Sequence, residues 1–285
     1  MLPPMALLLH PAARIAMTDF TVHPSTVIGL AVLGALYHWR AGQADEERTA
    51  AGTKQRTPTP AQRATFFSAL ALIFLTLNGW LHDLSDGYLF SAHMVQHLML
   101  TLVAPPMLIL GTPGWMLRPA LRWKGIGAAA RWLTTPVQCF VIFNVVLAVW
   151  HLPPIYEYAM AHHPAHIVQH LCFMVASVLM WWPILSPLPE LPRLSYPAQM
   201  LYLFLLSIPM SLIAICIGYA DHVLYPWYAS APRIWGITPM QDQLIGALVM
   251  WIPGGLFFFA IISVVFYKWQ QVGGDETTAG AQVGQ

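Results

Sequence analysis

The stretch SAHMVQHLML, residues 91–100, sets His93 and His97 four apart inside a run that is otherwise apolar enough to lie in a membrane. Seventy-three residues later PAHIVQHLCF, residues 164–173, says nearly the same thing, with His166 and His170 where His93 and His97 stood. An AHxVQHL pattern written twice, each time at the start of an apolar run, is a repeat rather than a coincidence.

Working outward, 57% of the 285 residues are hydrophobic and 9% charged, with a mean hydropathy of +0.58. Soluble domains carry about 25% charged residues, so the chain reads as an all-α, polytopic transmembrane helix bundle. A span needs roughly 20 mostly apolar residues, and seven segments qualify: about 22–39, 64–81, 92–110, 136–151, 165–185, 198–220 and 241–267. This divides the chain into an N-terminal segment (1–21), a seven-span membrane domain (22–267) and a polar tail (268–285) that reads as disordered. The polar stretch 40–63 reads as a solvated loop. The opening MLPPMALLLHPAARIAM has no basic n-region and no small-residue cleavage site, so it is not read as a signal peptide, and Met17 is a second possible start.

Lysine and arginine mark the cytoplasmic side. Arg40, Arg48, Lys54, Arg56, Arg63, Arg118, Arg122, Lys124, Arg131, Arg193 and Lys268 fall on one side of the alternating loops, and only Arg14 and Arg233 on the other. That places the N-terminus outside and the C-terminus in the cytoplasm. Histidine runs the other way, and every one except His38 falls on the outer side.

The repeat extends further. WLHD (80–83), WHLP (150–153) and ADHV (220–223) each close a helix with a histidine, and a further 73 residues from His170 lands on Gln243, beside Met240, in a degraded third copy. Spans two to seven therefore read as three two-helix units. Pro105, Pro106, Pro183 and Pro253 recur at similar depth and predict kinks.

Histidines four apart share a helix face about 6 Å apart along the axis, so each pair is half of a metal site. Ionisable groups in a membrane face a cavity or each other. Packed in a ring, His93, His97, His166 and His170 would meet His82, His151 and His222 at one level, a set suited to copper, zinc or haem iron. Asp83, Asp86, Glu157, Asp221, Asp242, Gln96 and Gln169 lie on the same side and are candidates to take the other N–H of a ligating ring. Met174 is a possible thioether ligand, whereas Cys172 points off the His166 face. The plain alternative is that histidines near the surface, His10, His23, His162 and His163 among them, only cap helix ends.

Other classes lose their footing. Net charge is +1 with no basic block, which argues against nucleic acid, and three scattered cysteines offer neither disulfides nor a thiolate site. The HExxH protease motif would need glutamate at positions 94 and 167, which are Met94 and Ile167, and no other catalytic motif appears, so the protein reads as a non-enzyme.

With HMVQHLMLTLVAPPMLILGTP (93–113) followed by HIVQHL (166–171) and tryptophan-proline pairs near helix ends, the chain resembles the CtaG family of polytopic cytochrome c oxidase assembly factors over about residues 60–267. The resemblance implies a plasma membrane protein that builds active oxidase by handling copper, meeting membrane lipid and oxidase subunits or copper carriers, with His93, His97, His166 and His170 as functional positions. Imidazole binds metal only when neutral, so loading should weaken below about pH 6. A haem-carrying electron-transfer protein and a metal-free assembly scaffold are the competing readings.

Overall fold

The structure, a computed structural model, describes residues 20–51 and 57–283. His10, Arg14, Met17, Lys54 and Arg56 lie outside the described residues. Helices α1 (Pro24–Ala51), α2 (Pro60–Leu77), α3 (Gly79–Gly87), α4 (Phe90–Leu98), α5 (Ala104–Gly111), α6 (Gly114–Leu121) and α7 (Lys124–Leu133) make the first half. α8 (Pro136–His151), α9 (Pro153–Ala161), α10 (His163–Leu185), α11 (Tyr196–Gly218), α12 (Pro226–Ser230) and α13 (Pro239–Val283) complete it, and among the described residues there is no strand.

Five stretches are long and apolar enough to cross a membrane: α2, Phe90–Gly111, α10, α11 and Pro239–Val272. A sixth arises if α7 and α8, bent by 76°, count as one. This is fewer than the seven spans expected. α8 alone has only 16 residues. α1 is diluted by Pro24, Ser25 and Thr26 at one end and His38 and Arg40 at the other, although it lies along α2. Its start meets α2's end, where the His23 amide donates to Asn78 Oδ1 at 2.7 Å. Its middle meets α2's start, where Tyr37 stacks on Phe66 at 4.1 Å. Helix also continues through residues 40–51 and beyond Lys268, where composition reads as solvated loop and tail.

Short helices α3, α9 and α12 lie between the long ones, within the stretches that the sequence reads as two-helix units. The local reasons are visible in α2. Thr59 and Gln62 close a capping box and Pro60 sits at the first turn, an arrangement that satisfies orphan donors at a helix start. At its end Asn78 Nδ2 donates back to Phe74 O, and Gly79 turns the chain into α3 with φ +69°, a conformation glycine takes without strain. Consequently His82 stands in the middle of α3, not at the end of a span.

The prolines lie within or beside the long helices. A π turn over Met99–Val103 precedes Pro105. Because proline has no N–H, the Thr101 carbonyl one turn back lacks its helical donor, and the Trp181 indole supplies one at 3.0 Å. Pro183, Pro209 and Pro253 lie inside α10, α11 and α13. One apolar core runs through α4, α8, α10, α11 and α13 and includes Phe143, Phe173, Trp181, Leu203 and Phe258.

Close helix approach rests on glycine. A Cβ on Gly111 would lie 2.6 Å from the Phe66 backbone nitrogen, so α2 and α5 must separate to admit it. Gly111→Ala should therefore lower stability by about 1–3 kcal/mol, read as the unfolding midpoint in detergent. An unchanged midpoint would mean that the two helices are not held this close.

Candidate metal centre

The centre is built where α3, α4, α8 and α10 meet. α4 begins at Leu89, which cannot cap it, and the carboxylate of Asp242 on α13 does so from across the bundle. Asp242 is fully buried and accepts from Phe90 N at 2.7 Å, Ser91 N at 3.0 Å and Ser91 Oγ at 2.6 Å. Two residues beyond Ser91 the histidines begin.

His93 and His97 follow one another along α4 with ring centroids 4.2 Å apart, and His166 and His170 along α10 at 4.4 Å, each pair with its ring planes tilted. The helices face each other, with His93 5.7 Å from His166 and His97 5.6 Å from His170. His82 joins from α3, 6.3 Å from His166, and His151 from the end of α8, 6.3 Å from His97. All six are buried. Both ring nitrogens of His93, His97 and His170, and Nε2 of His151 and His166, have no hydrogen-bond partner among the described residues. Buried polar atoms are nearly always paired, and imidazole nitrogens left over in a group are what a cation would use.

Asp86 is the carboxylate that reaches the centre, in place of Asp83 and Asp221, which the sequence reading favours among its five acids. Its Oδ2 is 3.3 Å from His82 Nε2 and 3.3 Å from His166 Nδ1, and its Oδ1 accepts from Ser85 Oγ at 2.9 Å. Ligand atoms of Asp86, His93 and His166 all lie within 4.8 Å of one another, a spacing that one cation can bridge. Burial by itself raises the Asp86 carboxyl, but the facing imidazoles of His166 and His82 outweigh it and hold it well below the ordinary carboxylate range.

The tautomer of His82 follows from its neighbours. Gln96 Nε2 donates to Thr76 O at 2.9 Å, which fixes the amide, and lies 3.1 Å from His82 Nδ1. Nδ1 therefore accepts, and Nε2–H points at Asp86. Burial pushes His82 below its ordinary value against the pull of Asp86, in keeping with a neutral ring. With both nitrogens engaged, His82 serves Asp86 as an orienting donor, the arrangement in which outer hydrogen bonds aim a ligand.

A roof of aromatic residues covers this end. Tyr228 donates to Ser85 O at 2.6 Å, its oxygen lies 3.0 Å from Tyr156 Oη, and Trp227 Nε1 donates to Asp86 O at 2.7 Å. These donors hold the last turn of α3. None was singled out from the sequence. Asp86 had a signal there, since it stands four residues from His82, but only if both belong to one helix.

The remaining expectations divide. Gln96 is tied to His82, whereas Gln169 is buried with its amide unpartnered. Asp83 accepts from Thr21 Oγ1. His222 and Asp221 pair with each other at 2.6 Å on the exposed surface and are not drawn into the six. Glu157 accepts from Trp227 N. Gln243 holds a loop, donating to Ile217 O and His222 O and accepting from Leu224 N. Met174 packs with Ile73, Leu100 and Ala104, Cys139 is buried, Cys172 is partly exposed and Cys216 is exposed.

A multi-pass helical membrane protein with a buried histidine and carboxylate centre at one end of its bundle is the class these features define. Residues 35–271 match the family described as cytochrome c oxidase caa3 assembly factor, and the chain belongs to that family. It is also similar to an uncharacterized protein of Mycobacterium bovis, 25% identical over 197 residues, covering 64% of this chain and 30% of the relative. An uncharacterized protein of Mycobacterium tuberculosis matches with the same figures. One of Mycobacterium leprae is 24% identical over 216 residues, 70% of this chain and 32% of the relative. The chain thus spans about a third of the length of these curated relatives. No solved structure matches it.

Proposed function

We propose that this protein takes up copper as cargo in the histidine centre and supports the building of cytochrome c oxidase in a bacterial plasma membrane. Family membership supports the oxidase side of this reading. The copper side rests on one observation, the buried imidazole nitrogens without a partner among the described residues: both of His93, His97 and His170, and Nε2 of His166. Neutral imidazoles suit copper, and the protein binds and passes on a metal without reaction chemistry of its own. Oxidase subunits or copper carriers are the partners this role requires.

The orientation follows from charge. Arg118, Arg122, Lys124, Arg131 and Arg193 fall at the end of the bundle away from the histidines, so the centre faces outward, with α1 as the seventh span beside α2. A haem reading fits the packing poorly. Six imidazoles and Phe173 lie with neighbouring centroids 4.2–6.3 Å apart, and a macrocycle cannot be interposed without parting α4 from α10.

The test compares wild type with a variant in which His93, His97, His166 and His170 are all replaced by alanine. Purified protein loaded with Cu(I) should retain copper, the variant should lose it, and cells whose only copy is the variant should lose oxidase activity. Copper retained equally by both would sink the assignment of the site. Full oxidase activity with the variant would favour the metal-free scaffold, and a Soret band would favour haem.

A further inference from the structure

The six histidines do not form one uniform cluster. They lie in two layers a helix turn apart. The outer layer holds His93 and His166, with Asp86 between them and His82 behind. The inner layer holds His97 and His170, each four residues further along its helix, with His151 beside them. We propose that the centre is two stations of unlike chemistry: Asp86, His93 and His166 take a divalent cation, and His97, His151 and His170 take a soft monovalent one. This rests on the reading that the centre carries metal.

The inner layer is defined by its own contacts. His151 Nδ1 lies 2.6 Å from Leu147 O. A carbonyl can only accept, so Nδ1 carries the hydrogen and Nε2 is left as a buried lone pair without a partner among the described residues. That is the tautomer a metal-ligating imidazole needs, fixed by a backbone acceptor. His97 and His170 bring four more unpartnered ring nitrogens. The His170 and His151 ring centroids lie 5.6 and 6.3 Å from that of His97, a looser set than the outer one, whose ligand atoms all lie within 4.8 Å of one another, so the inner rings must turn inward to close on a cation about 2 Å from each nitrogen. Phe173 forms an apolar wall, 4.6 Å from His97 and 6.0 Å from His151.

Charge separates the two layers. Asp86 is committed to the outer one through His82 and His166, and no carboxylate belongs to the inner set. The cost of burying an ion rises with the square of its charge, so a dry group of neutral imidazoles favours a single positive charge. Nitrogen ligands without oxygen also favour the softer Cu(I) over harder divalent ions. The outer station brings a negative charge and a carboxylate oxygen, and so offsets a second positive charge. Cations on both stations at once would stand about one turn apart and repel strongly in a medium of low dielectric. The two layers are therefore occupied one at a time, each by the ion its own charge suits.

Full-length protein in lipid nanodiscs, titrated separately with Ag(I), a redox-inert monovalent probe, and with Zn(II), tests this. Asp86→Asn should weaken Zn(II) by about ten- to a hundred-fold and leave Ag(I) within about threefold. His151→Gln should do the reverse, and His97→Gln should repeat the His151→Gln pattern in case one variant fails to fold. If Asp86→Asn and His151→Gln weaken both ions alike, there is one shared site and the two-station proposal is overturned. If His151→Gln and His97→Gln leave Ag(I) binding intact, the inner station is wrong. Wild type that binds neither ion removes the metal reading itself, an outcome distinct from one-site binding.

Discussion

Asp242→Ala is expected to destabilise the protein by about 3–5 kcal/mol, the cost of breaking a buried charged group from its hydrogen-bonded partners. The carboxylate is fully buried and accepts three hydrogen bonds from the first residues of α4. No other group is placed to take them, since the residue at the cap position is Leu89. A negative charge at a helix start also meets the positive end of the helix dipole. Alanine leaves two backbone N–H groups and a hydroxyl without an acceptor, and the helix start can reach water only by moving outward. His93 and His97 ride on that helix, so metal binding should fall together with the unfolding midpoint. Asp242→Asn keeps one acceptor oxygen but turns an NH₂ toward a donor, and should cost about 2 kcal/mol. The check is thermal unfolding in detergent beside Ag(I) titration. A loss below about 1 kcal/mol for the alanine variant would mean that α4 is held by packing alone.

How much of this was legible depends on the range of the interaction. His93, His97, His166 and His170 were readable because a helix converts a spacing of four into a shared face, and the AHxVQHL repeat announced that two such faces match. Membrane helices were readable because composition alone decides burial in lipid. The role of Asp242 was not, because it caps a helix 151 residues away and a lone acid ahead of an apolar run looks like a local cap. His82 was read as a span end because the apolar run stops near it. Asn78 and Gly79 in fact break the helix earlier and start α3, and only there do His82 and Asp86 share a face. His222 matched His82 by pattern, yet it lies on the surface with Asp221. The third unit shows the same limit. Gln243 was reached by stepping 73 residues from His170, but its amide bonds Ile217 O much as Gln96 bonds Thr76 O, so its working counterpart is the glutamine of the motif. Counting spans from hydropathy also blurred at α1 and α8, where short apolar runs are completed by packing and by a bend.

The inner histidines give the strongest contrast between a structural and a functional reading. If His97 and His170 were kept as caps or as packing, replacing both with leucine would remove favourable contacts and destabilise the fold. Their ring nitrogens have no partner among the described residues, however, and each residue is at least nine-tenths buried. A buried polar group without a hydrogen bond costs about 1–3 kcal/mol, and an apolar group of similar volume relieves that cost. His97→Leu/His170→Leu is therefore expected to stabilise the metal-free protein by about 2–4 kcal/mol while abolishing Ag(I) binding at the inner station. Residues that weaken the fold they sit in are the signature of a site held for a ligand. Unfolding midpoints of wild type and variant in chelator, with Ag(I) titration of both, decide the matter. A variant that unfolds earlier than wild type in chelator would show the two histidines to be structural.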